Sequence, residues 1–406
     1  MTRTAAVPPA LSIAQDPHER PFVDDPYPFY ARMHAASPEF FWEDFGHWCI
    51  AGYERVNALL RDRRLGRENR WGPPLHVEAG TRTHLAAFDA VEVHSMLERE
   101  PPVHTRLRTL VNKAFVSRQV ERLRPRIREL ARERADALQP GDELIEAFAA
   151  PIPVTVICEM LGVPVAMGPQ LLGWSHDIVA MYMHGRDRET EERANRASEE
   201  FSAFLRDLIR DRRAHDGDDL LSVLIAARDH GQKLSDDELI TSVILLLNAG
   251  HEATVHQTGN AIASILGEGG DPRLLFASDE AAAATVEECL RFNAPLHMFT
   301  RYVYEPVDIG PVELQPGEQV GLLLGAANRD PAAFDAPHAF MPGRADQKNV
   351  SFGAGIHFCI GAPLARIELQ ETLAALFNRW PDLRLAEPPR YRDAYHFHGI
   401  ERLVLA

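Results

Sequence analysis

Cysteine is scarce and scattered. The 406 residues hold four, Cys49, Cys158, Cys289 and Cys359, with no C-x-x-C pair among them. That pattern excludes a disulfide framework, a structural zinc site or an iron–sulfur cluster carried by the chain itself, and it fits a reducing cytoplasm. Positive charge is also in deficit: 43 Lys and Arg stand against 59 Asp and Glu, a formal net charge of -16. Neutralising phosphates takes clustered bases, so neither nucleic acid nor an anionic membrane surface is an expected partner. Long apolar runs are missing too. The run from Val243 to Leu247 is far shorter than the ~18–20 residues of a membrane span. The N-terminal M-T-R-T-A-A-V-P-P-A is interrupted by Pro8 and Pro9, so no signal peptide is expected and the chain reads as soluble.

What is present is a helix former's composition with a substantial core. Hydrophobic residues make up 45% of the chain, and helical periodicity runs through most of it, clearest at 120–138 and 189–213. The capping box S-D-D-E, Ser235 to Glu238, opens a segment that closes at G-E-G-G, Gly267 to Gly270. The helix between them is roughly 46 Å long, enough to cross a domain. Strand signals are few, at 47–51, 303–309 and 319–324. We expect a mainly α fold with a small β region, forming one domain over 1–406 whose first 20 residues are a flexible or extended arm; no internal repeat is visible.

Inside the long helix lies N-A-G-H-E-A-T-V-H-Q-T-G-N, Asn248 to Asn260. It approaches the H-E-x-x-H zinc pattern with one residue too many. At roughly 100° per residue, His251 and His256 sit about 140° apart around the helix, too far to share one ion.

The most informative stretch is S-F-G-A-G-I-H-F-C-I-G-A-P-L-A-R-I-E-L, Ser351 to Leu369. Glycines at 353, 355 and 361 allow the chain to wrap closely around one sulfur. Pro363 suits the first turn of a following helix, whose N-terminus would favour a thiolate at Cys359. A lone cysteine is most often simply buried, but Phe352, Gly355, Cys359 and Gly361 satisfy F-x-x-G-x-x-x-C-x-G. Here the chain resembles the cytochrome P450 family, most strongly its soluble bacterial members, from D-P-Y-P-F-Y at Asp25 onward.

The resemblance implies a cytochrome P450 fold, a triangular helical domain with the long central helix over the haem. It implies haem b with Cys359 as axial thiolate ligand to iron, Phe352 and Gly361 beside it, and His104, Arg108, Arg301 and His357 on the propionates. Glu288 and Arg291, in E-E-C-L-R, with Arg344, in F-M-P-G-R, would make a buried structural network, although Met341 stands where an Asp is commoner. Ala326 to Pro331 matches another structural stretch.

On the central helix the family's A-G-x-[DE]-T-[TS] is matched by Ala249, Gly250, His251, Glu252, Ala253 and Thr254. Small residues leave room for dioxygen, and Glu252 can relay protons. Ala253 replaces the threonine whose hydroxyl serves proton delivery; Thr254, about 100° further round, is badly placed to take over. A substrate hydroxyl or a trapped water would then complete the relay. Candidate substrate contacts are Leu245, Asn248, His297, Met298, Phe299 and Phe397, with 67–88 and 178–181 forming a lid. Asn248 and His297 would give an apolar pocket two polar handles, which suits a mid-sized, oxygen-bearing substrate.

The implied activity is insertion of one atom of dioxygen into an organic C–H bond. The chain has no flavin or nicotinamide fingerprint, so electrons would come from a separate ferredoxin and ferredoxin reductase, docking near Cys359 through Arg106, Lys113 and Arg366. A cytoplasmic monomer is expected. The competing readings are a peroxide-using peroxygenase or oxidase, favoured by Ala253, and a non-catalytic haem sensor or carrier.

Overall fold

The computed structural model describes residues 7–71, 83–115, 120–182, 186–215, 217–268 and 271–406. Its axis is the helix Asp236–Gly267. Ser235 caps it: Glu238 N donates to Ser235 Oγ at 3.2 Å, and Ser235 N donates to the Glu238 carboxylate at 2.9 Å. Asp236, Asp237 and Glu238 in the first turn complement the helix dipole. Most of its length is buried on every side, as expected for a helix through the core.

The first half of the central helix packs its Leu239, Ile240, Val243, Ile244 and Leu247 with Pro151–Leu161, Gly168–Val179 and Arg188–Ala214. The second half packs Ala261, Ile262 and Ile265 with Asp279–Phe292 and with Ala362–Arg379, the helix that follows the cysteine loop. Among the described residues, no helix is long and apolar enough to cross a membrane.

Beside this helical body lies a six-stranded sheet. Its spatial order is Ser12–Ile13, Glu39–Trp42, His47–Ile50, Gln319–Leu323, Met298–Val303, Leu65–Gly66. His47–Ile50 runs parallel to Gln319–Leu323, with Trp48 opposite Val320; the latter strand pairs antiparallel with Met298–Val303. The N-terminal segment is thus partly recruited: Ser12 and Ile13 lie parallel to Phe41 and Trp42.

Several boundaries differ from expectation. The strand placed at 303–309 ends at Val303, because Pro306 has no N–H for a ladder; Val307–Asp308 forms a separate two-residue pair with Glu313–Leu314. The helix placed at 120–138 is Arg124–Ala137, with Pro125 in its first turn. Of the expected lid, residues 72–82 lie outside the described residues, while Ala180–Tyr182 form a short 3-10 turn.

Candidate active site

The cysteine loop takes its shape from glycine. Gly353 and Gly355 adopt φ of 67° and 72°, and a Cβ on Gly355 would lie 2.5 Å from the Leu60 carbonyl oxygen. Cys359 N donates to Phe352 O at 3.0 Å, closing the loop, and Ala362–Arg379 starts immediately afterwards with Pro363 in its first turn. Burial pushes the Cys359 thiol up from its usual value, outweighing the Gly361 and Ala362 N–H groups and the charges of Arg108 and Arg366. The sequence suggested the opposite sign. The helix N-terminus does act in the expected direction, but enclosure of the sulfur is the larger effect, and an iron ion rather than the backbone would hold the thiolate.

Cys359 opens into a cavity of about 1230 Å³, larger than the ~300–1,000 Å³ of a typical small-molecule pocket. Opposite walls bring together distant parts of the chain. Leu245, Asn248, Ala249, Gly250, Glu252, Ala253 and Thr254 come from the central helix; Phe352, His357, Cys359 and Gly361 come from the loop. His104 and Arg108 reach in from Val103–Ala114, one turn apart on one face.

On this rim the His104 and His357 rings are 4.4 Å apart, and His357 Nε2 is 3.0 Å from the Glu100 carboxylate. Burial and the neighbouring His357 pull His104 down to about 4. Arg108 donates to Phe358 O at 2.6 Å. Arg301 is 3% exposed and donates to Thr300 O, but among the described residues no carboxylate lies within ion-pair distance; burial, then Arg67, pulls it down to about 9. It lies behind the wall, where Thr300 and Tyr302 form the surface. An uncompensated buried guanidinium and two rim bases beside a soft sulfur ligand suit a metal macrocycle with acidic side arms.

Glu288, Arg291 and Arg344 lie together. Glu288 accepts two hydrogen bonds from Arg291, at 2.7 and 2.8 Å, and Arg344 Nε lies 3.0 and 3.1 Å from its two oxygens. Met341 contributes through its backbone, whose N–H donates to Glu288 at 2.7 Å, so the missing aspartate is not needed there. Asn328, in the stretch 326–331, donates to Ser351 Oγ and accepts from Val350 N, fastening this network to the start of the cysteine loop.

On the central helix Glu252 is 6% exposed. His256 Nε2 is 3.8 Å from it and Arg392, half in solvent, 3.7 Å. Burial raises Glu252 most, yet His256, with His251 and His176 behind it, wins and holds the carboxyl below its usual range. Thr254 Oγ1 donates to Gly250 O at 3.2 Å, so its hydroxyl is committed to the helix backbone. His251 is engaged elsewhere, with Nδ1 3.0 Å from Leu247 O.

Of the proposed substrate contacts, Leu245, Asn248, Met298, Phe299 and Phe397 line the cavity, and the buried Asn248 Oδ1 has no hydrogen-bond partner. His297 does not. It is fully buried on the other side of the chain, 2.7 Å from the Tyr30 hydroxyl and with its ring 4.5 Å from that of His398, and burial pulls it down to about 3. The three proposed docking bases are likewise occupied: Arg106 pairs with Glu238, Lys113 with Asp229 at 2.9 Å, and Arg366 with Glu287. In a chain with excess acid, each of these three finds a carboxylate nearby. Sequence reasoning missed Glu92, Glu98 and Tyr182 on the cavity wall, since nothing in their local sequence marks them.

The family model described as Cytochrome P450 matches residues 281–381, from the Glu288 network through the cysteine loop. Over most of its length the chain is 37% identical to cytochrome P450 monooxygenase PikC of Streptomyces venezuelae, with 95% of this chain and 91% of that one covered. The chain belongs to the cytochrome P450 family. It is 36% identical to 6-deoxyerythronolide B hydroxylase of Saccharopolyspora erythraea, covering 93% and 95% of the two chains. Its fold superposes on P450BioI, solved in complex with an acyl carrier protein ligated to hexadec-9Z-enoic acid, with a TM-score of 0.88 at 33% identity and coverage of 95% and 99%. The expected fold is therefore the observed one. As a cytochrome P450 monooxygenase, the enzyme uses haem with a cysteine thiolate as the axial iron ligand.

Proposed function

We propose that this P450 inserts one oxygen atom of dioxygen into a small organic molecule held between the central helix and the cysteine loop, with electrons supplied by a separate ferredoxin and ferredoxin reductase. The observation that carries the reading is the placement of Cys359 in one cavity with Ala249 and Gly250, which keep the facing helix surface small. Haem bound at Cys359 supplies the reductive activation of dioxygen. The chain's own residues do the rest. His104, Arg108 and His357, with Arg301 behind them, would hold the propionates; Phe352 and Gly361 flank the sulfur.

Glu252 holds a proton-accepting carboxylate at the cavity wall, with the buried His256 on one side and Arg392, half in solvent, on the other. Ala253 brings no hydroxyl, and Thr254 spends its own on Gly250 O, so a substrate hydroxyl or a water on Asn248 would complete the relay. Leu245, Met298, Phe299 and Phe397 give the substrate an apolar enclosure. Four free cysteines support a cytoplasmic setting, and one domain over 1–406 accounts for the shared central helix.

The carbon monoxide difference spectrum of the reduced protein tests the assignment: the red-shifted thiolate band is expected, and Cys359→Ala should abolish it. Its absence from the unmodified protein would overturn the reading. Ala253 specifically favours a second reading, in which peroxide drives turnover; product formed with peroxide and none with a ferredoxin system would establish that instead.

A further inference from the structure

Most charged side chains that reach the cavity are already neutralised. Arg67 pairs with Glu98, Arg186 with Glu191 at 3.6 Å and Arg390 with Glu401 at 3.2 Å, and the Asp393 carboxylate lies 2.7 Å from His18 Nδ1. Two lining carboxylates have no cation within ion-pair distance among the described residues, Glu368 and Glu92. Among the described residues, no hydrogen bond orients the Glu368 side chain. Glu92 is different.

Glu92 is the last residue of Ala86–Glu92 and is 4% exposed. The Tyr182 hydroxyl donates to its Oε1 at 2.9 Å, which fixes the carboxyl at the wall. Phe88, one turn earlier on the same helix, lines the cavity beside it, and Tyr182 lines it from the Ala180–Tyr182 turn. Burial, then repulsion from Glu98, pushes Glu92 up to about 8 despite Tyr182 and Arg67. The protein therefore holds an oriented carboxyl on a wall shared with Phe88 and Tyr182, and among the described residues no cation lies within ion-pair distance to favour its ionised form.

That combination matches one chemical class. An ammonium group would relieve both the burial and the repulsion, and could rest on the ring faces of Phe88 and Tyr182. A carboxylate would find Arg67 and Arg186 on this wall already committed to Glu98 and Glu191. A neutral group would suit only the protonated form of Glu92, whereas an ammonium group would bind with loss of that proton. We propose that Glu92, with Phe88 and Tyr182, forms the subsite that takes a cationic amine carried by the substrate. This rests on the cavity being the substrate chamber.

The test uses the haem-loaded enzyme and three probes with the same apolar chain: decyltrimethylammonium, decanoate and decanol. The quaternary ammonium cannot ligate iron through a lone pair, so its binding reports the wall alone. Equilibrium dialysis of labelled probes, with the spin-state shift as a second readout, should show the ammonium bound more tightly than both others. Glu92→Gln should weaken it by about tenfold or more while leaving decanol unchanged. Tyr182→Phe should weaken it less. Tighter binding of decanoate, or an ammonium affinity unmoved by Glu92→Gln, would overturn the proposal. If decanol binds while the ammonium shows no advantage, the chamber stands and the amine subsite falls. If none of the probes binds, both fall. The comparison among probes on the unmodified enzyme decides the matter even where Glu92→Gln proves unstable.

Discussion

At position 253 a methyl group stands where the family's relay has a hydroxyl, and the neighbouring Thr254 cannot repair the loss, because its Oγ1 already donates to Gly250 O. Restoring the hydroxyl by Ala253→Thr should change the ratio of product to hydrogen peroxide with the natural substrate. An unaltered ratio would show that the alanine is neutral. Glu368 offers a separate, structural prediction. Burial alone pushes it from 4.5 up to about 8. Its folded-state value lies above the unfolded one, so between those limits the folded protein binds the extra proton and stability falls as pH rises. Glu368→Gln lacks that dependence. Urea midpoints should agree between the two proteins near pH 4.5 and diverge toward pH 8, the variant becoming more stable by something on the order of a few kcal/mol. Parallel pH profiles would refute it. Single residues were unevenly legible. Cys359 and Glu252 lie in spacing patterns with a chemical cause, whereas His297 sat in the right segment and points the wrong way, since nothing local tells which side of that segment meets Tyr30.

Elements were easier to read than residues where their signals were local. Ser235 and Glu238 marked the start of the central helix correctly because a capping box needs only four consecutive residues. Ser235→Ala should cost about 1 kcal/mol of stability in denaturant unfolding. The partner of Arg106 could not be foreseen, for Glu238 lies on a different helix and is brought there by packing. The Glu288, Arg291 and Arg344 network joins both kinds. Its i, i+3 pair was visible on one helix, but the Met341 N–H that completes it was not. Glu288→Ala would leave two guanidinium groups buried without their shared carboxylate, at a cost of roughly 3–5 kcal/mol. Because Asn328 and Ser351 tie this network to the cysteine loop, we expect the variant to lose haem on mild urea treatment before its helices unfold. Retention of haem to the wild-type midpoint would show that the two are uncoupled.

At the scale of the whole molecule, the bases proposed for docking an electron donor are engaged within the chain. Arg106, Lys113 and Arg366 were candidate contacts, yet each is bound to an acid of its own chain. Replacing Lys113 by Ala should therefore change the apparent KM for a ferredoxin by less than about threefold, because Asp229 already offsets its charge at the surface. A larger change would return it to the docking surface. Fold class was legible from composition and periodicity because helices are encoded by neighbours in sequence. The sheet was only partly legible, because its pairings span the chain: Trp48 lies opposite Val320.

That pairing also sets an order of events during synthesis. His47–Ile50 leaves the ribosome early, carrying one unpaired edge until Gln319–Leu323 arrives. At ~5–20 residues per second the wait lasts on the order of tens of seconds, during which an apolar strand is open to other nascent chains. A chaperone that shields this edge would raise the yield of enzyme without touching its stability once folded.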